Sequence, residues 1–173
     1  MHKLAITIVL VFTLSLAAAL PALAAPILAG TDGLTAYGSL ASAGEGLLLG
    51  LGVDCPVNEQ LVLGGGLYPQ AGLDVIAFNG TYAASETLVI HADGVLIVKG
   101  FGVQSQLGAY YVLAEPLPIY LGGGVWFTSV GDGAAALYAE AEAHYKPAKE
   151  WMLYAGLTLV SDVEIQVGAT YSF

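Results

Sequence analysis

Between Ala134 and Lys146 the chain sets Tyr138, Glu140, Glu142, His144 and Lys146 at every second position, with Leu137, Ala139, Ala141, Ala143 and Tyr145 between them. Successive side chains of a strand point to opposite faces, so this spacing collects carboxylates, an imidazole and an ammonium in one row. Glu142 and His144 lie within reach of each other as an acid/base pair, and two carboxylates on one face could hold a cation. A nucleophile is missing from the pattern. Neither His91-Ala92-Asp93 nor His144-Tyr145-Lys146 places a serine beside its histidine. The row therefore reads first as a structural Glu/Lys/His hydrogen-bond network, and no enzyme activity is expected. An enzyme or ligand binder using Glu140, Glu142 and His144 is the alternative. Cys55 is the single cysteine, and only His91 and His144 follow the N-terminal segment. No Cys/His zinc spacing exists, no internal disulfide can form, and no cofactor or metal is expected.

The element that must carry such a row is a strand with one apolar face, and the clearest example closes the chain. Val163, Ile165, Val167, Ala169, Tyr171 and Phe173 alternate with Glu164, Gln166, Gly168, Thr170 and Ser172. At the other end, Met1-His2-Lys3 is basic, residues 4–20 are apolar, and Ala22-Leu23-Ala24 supplies the small residues of a cleavage site. This is the pattern of a secretory signal peptide cut after Ala24, leaving residues 25–173 as one domain. Every later apolar stretch is broken by glycines, proline or charge before it could cross a bilayer as a helix. Backbone groups in lipid are satisfied only in helices or closed barrels, so a closed barrel is what remains.

The terminal Tyr171-Ser172-Phe173 resembles the closing strand of small bacterial outer-membrane β-barrel proteins, where a final Phe preceded two positions earlier by Tyr is an assembly signal. The resemblance implies an outer-membrane location, contact with outer-membrane lipid, and handling by periplasmic chaperones and the barrel-assembly machinery. It also implies that the C-terminus lies on the periplasmic side.

Reading back from Phe173, strands are expected near 163–173, 150–160, 134–146, 118–128, 95–113, 86–92, 72–83, 60–68, 46–54 and 34–43. Most acids, including Asp54, Glu59, Glu86, Asp93, Asp132 and Glu150, fall at expected hairpin ends and so mark the water boundaries. One set of turns holds proline and acid, such as Cys55-Pro56-Val57-Asn58-Glu59 and Lys146-Pro147-Ala148-Lys149-Glu150, and the other holds glycine and aspartate, such as Gly131-Asp132-Gly133. Strand alternation puts the first set in the periplasm. Residues 60–68 and 118–126 look like copies of one arm, each with a Gly-Gly-Gly run, which suits a meander of repeated hairpins. If residues 88–94 belong to a loop, ten strands become eight, and both numbers are allowed.

The expected fold is all-β, an antiparallel up-and-down transmembrane β-barrel of 8–10 strands. Its lumen-lining polar residues are Glu140, Glu142, His144, Lys146, Tyr154, Glu164 and Gln166. Tyrosines beside glycines suggest rings lying over bare backbone and filling a narrow interior. The expected function is a non-enzymatic envelope protein, either a structural barrel or a narrow, porin-like passive channel. A secreted soluble β-sandwich would alternate similarly and is the other alternative. Fourteen acids stand against four basic residues, none of them arginine. Nucleic acid is excluded as a partner, and so is an anion- or lipopolysaccharide-binding surface, since both need clustered positive charge.

Overall fold

A computed structural model describes residues 27, 33–43, 46–69, 75–98, 102–113, 117–160 and 163–173. The sequence's expected signal segment, residues 1–24, lies outside them. Among the described residues ten strands follow one another: β1 (Thr35–Ala43), β2 (Gly46–Pro56), β3 (Leu61–Leu67), β4 (Val75–Ala83), β5 (Leu88–Ile97), β6 (Gly102–Leu113), β7 (Ile119–Thr128), β8 (Ala134–Tyr145), β9 (Trp151–Leu159) and β10 (Val163–Ser172). Each pairs antiparallel with its neighbours in sequence, and β1 pairs with β10, so a single sheet closes on itself. Closure runs from Thr35 opposite Ser172 to Ala41 opposite Gln166, and the Phe173 N–H donates to the Leu34 carbonyl at 3.0 Å.

Partners traced around the wall from Tyr37 pass through Gly52, Gly66, Ala77, Val95, Gln104, Thr128 and Ala134. Continued through β9 and β10, these registers return to β1 about twelve residues further along, a stagger that tilts the strands by roughly 40°.

Local chemistry explains the tight turns. Between β2 and β3, Asn58 Oδ1 accepts the N–H groups of Gln60 and Leu61, both at 2.9 Å, so the side chain substitutes for ladder partners. Between β7 and β8, Gly131 and Gly133 adopt φ of 67° and 72°, a left-handed backbone open to glycine at little cost.

The two faces of the wall have opposite chemistry. On β9, Trp151, Leu153, Leu157 and Leu159 are exposed while Met152, Tyr154, Gly156 and Thr158 are buried. Leu51, Val53, Leu63, Ile76, Phe78, Leu107, Leu121, Val125, Val163 and Ile165 continue the exposed apolar surface around the barrel. A soluble protein does not present a continuous apolar belt, whereas a barrel in lipid requires one. At the rim that carries the C-terminus, Tyr82, Tyr111, Tyr145, Trp151 and Phe173 point outward. Trp151, Tyr171 and Phe173 stack edge to face with centroids 5.1 Å apart in each step. This is the aromatic girdle expected where acyl chains give way to headgroups.

Several sequence expectations are corrected here. The soluble sandwich is excluded, because one closed sheet is apolar outside and polar inside. Residues 86–92 and 95–113 are not the fifth and sixth strands: β5 runs on through Asp93-Gly94 to Ile97, and β6 begins only at Gly102. Asp54 and Asp93 are not turn acids but buried residues within β2 and β5. Cys55 likewise belongs to β2, with its free thiol exposed.

Candidate functional site: the acidic lumen

The inward faces assemble an interior of polar side chains interspersed with two apolar clusters, one around Tyr68 and one around Tyr110. Glu140, Glu142 and His144 from β8, Tyr154 from β9 and Gln166 from β10 are all buried, and Glu164 is partly so. Lys146 is a correction: expected in the lumen, it stands just past the end of β8 and is exposed. The expected Glu/Lys/His network thus does not include Lys146. Gln104 and Gln106 of β6, whose alternation also points them inward, are buried as well; what sequence reading missed is Asp54 (β2), Asn79 and Thr81 (β4) and His91 and Asp93 (β5), all buried in the same interior. The alternation of Thr81 with Asn79 and of His91 with Asp93 carries that signal, but Asp93-Gly94 also has the composition of a turn.

Near one mouth, Glu142 is fully enclosed. Its Oε1 accepts the backbone N–H of Ile27 at 2.9 Å and pairs with His144 Nε2 at 2.5 Å. Tyr120 packs on the His144 ring with centroids 4.6 Å apart. Ile27 itself is completely buried, in an apolar cluster with Val89, Tyr110, Tyr120 and Tyr138. A residue from before the first strand therefore sits inside the barrel.

Above this, Tyr110 donates to Glu140 Oε2 at 2.6 Å, and its oxygen lies 2.7 Å from the Tyr138 hydroxyl. Tyr110 has one proton and gives it to the carboxylate, so Tyr138 donates to Tyr110. The chain Tyr138 to Tyr110 to Glu140 crosses from β8 to β6 and back over β7, where Gly122 and Gly124 leave bare backbone. A Cβ at Gly122 would meet the Ala109 carbonyl and would come within 2.8 Å of Tyr110 Cδ1.

The same device recurs across the lumen. Asn79 Nδ2 of β4 donates to Asp54 Oδ1 of β2 at 2.9 Å. Gly64 of β3 lies between them, and a Cβ there would strike both side chains. The two Gly-Gly-Gly runs are thus troughs through which polar side chains of the flanking strands reach each other. Elsewhere tyrosine rings take the space: Tyr37 lies over Gly52, and Tyr154 over Gly168.

His91 Nδ1 is 2.7 Å from Thr81 Oγ1, and its Nε2 is 3.6 Å from Asp93 Oδ2. With Nε2–H turned to Asp93, Nδ1 accepts the Thr81 proton. A hydroxyl, an imidazole and a carboxylate in sequence is the order of a nucleophilic triad, but Thr81, His91 and Asp93 are each under 5% exposed. The strands around them are paired in register on both sides, and among the described residues no free pair of backbone donors is placed at the hydroxyl to hold an oxyanion. The arrangement orients the imidazole and joins β4 to β5.

No protein-family model and no curated protein sequence matches the chain. Among solved structures, the chain is similar to the designed barrel TMB2.3, determined by solution NMR, with a TM-score of 0.51 at 14% identity over 83% of this chain and 96% of that one. The fold is that of a transmembrane β-barrel. Two further similar structures are the KdgM porin, with a TM-score of 0.49 at 13% identity over 80% of this chain and 99% of that one, and the N-terminal β-barrel domain of Pseudomonas aeruginosa OprF, at 0.42 and 12% over 83% and 99%. At such identities the likeness concerns architecture, and the function must be argued from the lumen.

Proposed function

We propose that the protein is an integral barrel of the bacterial outer membrane that serves the envelope as a non-enzymatic, structural barrel, closed in its resting form. The observation that carries this reading is Glu142, an ionisable side chain near a barrel mouth that is 0% exposed because Ile27 and His144 cover it. An open aqueous pore would leave such a side chain wet. Tyr37, Tyr110, Tyr120, Tyr138 and Tyr154 are buried inside the wall as well.

The outer-membrane assignment is supported by the even strand number, the apolar belt and the aromatic rim. It is also supported by the secretory pattern ending in Ala22 and Ala24, with cleavage proposed after Ala24. In this reading Tyr171 and Phe173 are the signal recognised by the barrel-assembly machinery after delivery by periplasmic chaperones. Catalysis is not part of the proposal, since Glu142 and His144 are engaged with each other and Thr81 is enclosed. Planar-bilayer recording of protein extracted from envelopes tests the reading. Insertion without conductance steps is the expected result, and a stable ohmic conductance would overturn it.

A further inference from the structure

The lumen contains acids and histidines without a lysine or arginine among the described residues. Glu164 lies at the start of β10, Asp93 and Glu140 stand midway along β5 and β8, and Glu142 and Asp54 approach the opposite ends of β8 and β2. Carboxylates are therefore spread along the axis and not gathered at one level. Two of them are only half used. Glu142 Oε2 and Asp54 Oδ2 are buried and make no hydrogen bond among the described residues, while their partner oxygens are engaged. Buried carboxylate oxygens without donors are costly, and a small cation satisfies them. Luminal carboxylates without competing cations are also how narrow pores favour cations over anions.

Ile27 is buried in this interior without being part of the barrel wall. Ile27 precedes β1, its side chain fills the space among Val89, Tyr110, Tyr120 and Tyr138, and its N–H is held by Glu142. Its removal breaks no ladder pairing. It would, however, open the apolar cluster beside Glu142 and leave Oε1 of the same carboxylate with His144 as its one remaining partner among the described residues. We propose that Ile27 is a plug latched by Glu142, and that it closes a pathway for small monovalent cations lined by Asp54, Asp93, Glu140 and Glu142. The proposal rests on the closed resting form argued above.

Two substitutions outside the wall separate the parts of the contact. Ile27→Ala removes the apolar plug, and Ile27→Pro removes the N–H that the latch holds. Folding of each is checked by circular dichroism and by the shift in gel mobility on heating. Recordings are then made across planar bilayers in a potassium chloride gradient. The expected result is discrete conductance steps in both variants that wild type lacks, with a reversal potential moved toward the potassium equilibrium potential. Adding Asp93→Asn to Ile27→Ala should move the reversal potential back toward zero. Folded variants that stay silent overturn the plug, and steps without cation preference overturn the lining. If wild type already conducts, the closed reading fails first, which keeps the two failures apart.

Discussion

Tyr110 of β6 and Glu140 of β8 are joined by a hydrogen bond of 2.6 Å although a whole strand, β7, lies between them. Gly122 is opposite both residues in the registers, and its missing side chain is what lets the phenol pass. The polar interior depends on glycine here as much as on the polar residues themselves.

Gly122→Ala should therefore be destabilising, by about 1–3 kcal/mol, because its Cβ would overlap the Ala109 carbonyl and crowd Tyr110. Gly38→Ala is the control, since its Cβ would meet only Leu51 Cδ2 at an ordinary 3.6 Å. Urea unfolding from lipid vesicles compares the two.

Tyr110→Phe removes the donor to Glu140 and leaves a buried carboxylate oxygen without it, a loss of about 1–3 kcal/mol. Combining it with Glu140→Leu should recover part of that loss, because both halves of the pair are then apolar. A double-mutant cycle in the same unfolding assay measures the coupling.

Ala141 faces outward between the buried Glu140 and Glu142. Arginine at Ala141 should cost on the order of 2–4 kcal/mol if the site is near the bilayer midplane, whereas Glu140→Gln should be mild because the amide oxygen still accepts from Tyr110. Refolding into vesicles gives the comparison, and a severe Glu140→Gln beside a tolerated Ala141→Arg would mean that the faces are reversed.

Much of this architecture could be read from the residues. The inward and outward faces of β8, β9 and β10 follow from strict alternation, and the glycine repeats marked the two arms that became troughs. The misreadings share a physical cause. In a barrel the inner face is polar, so Asp54 and Asp93 can sit mid-strand, yet an aspartate beside glycine or cysteine-proline has the chemistry of a turn. Fusing residues 95–113 into one strand followed from that. Lys146 continued the alternation of β8 by one position too many, because a pattern does not announce where pairing stops. Ile27 carried no periodic signal at all, and its place in the lumen depends on contacts with four different strands.

Phe173 is exposed, and its backbone makes one bond that helps to close β1 onto β10. Its deletion should lower the amount of folded protein in the outer membrane of cells, with little effect on the unfolding of barrels already formed, since an end residue makes few ladder contacts. Quantitative blotting of membrane fractions beside in vitro unfolding distinguishes these. Unchanged outer-membrane levels would contradict the assembly role.

The central claim is a barrel with lipid outside and a packed interior, and the chain's two tryptophans report on both sides. Trp151 is exposed on the outer rim, while Trp126 packs inward against the cluster around Tyr110 and Tyr138. Fluorescence of the single-tryptophan proteins Trp126→Phe and Trp151→Phe, measured in vesicles of brominated lipid, separates them. The account predicts strong quenching of Trp151 and little of Trp126, by bromine or by aqueous acrylamide. Equal quenching of both by bromine, or quenching of Trp126 alone, would contradict it.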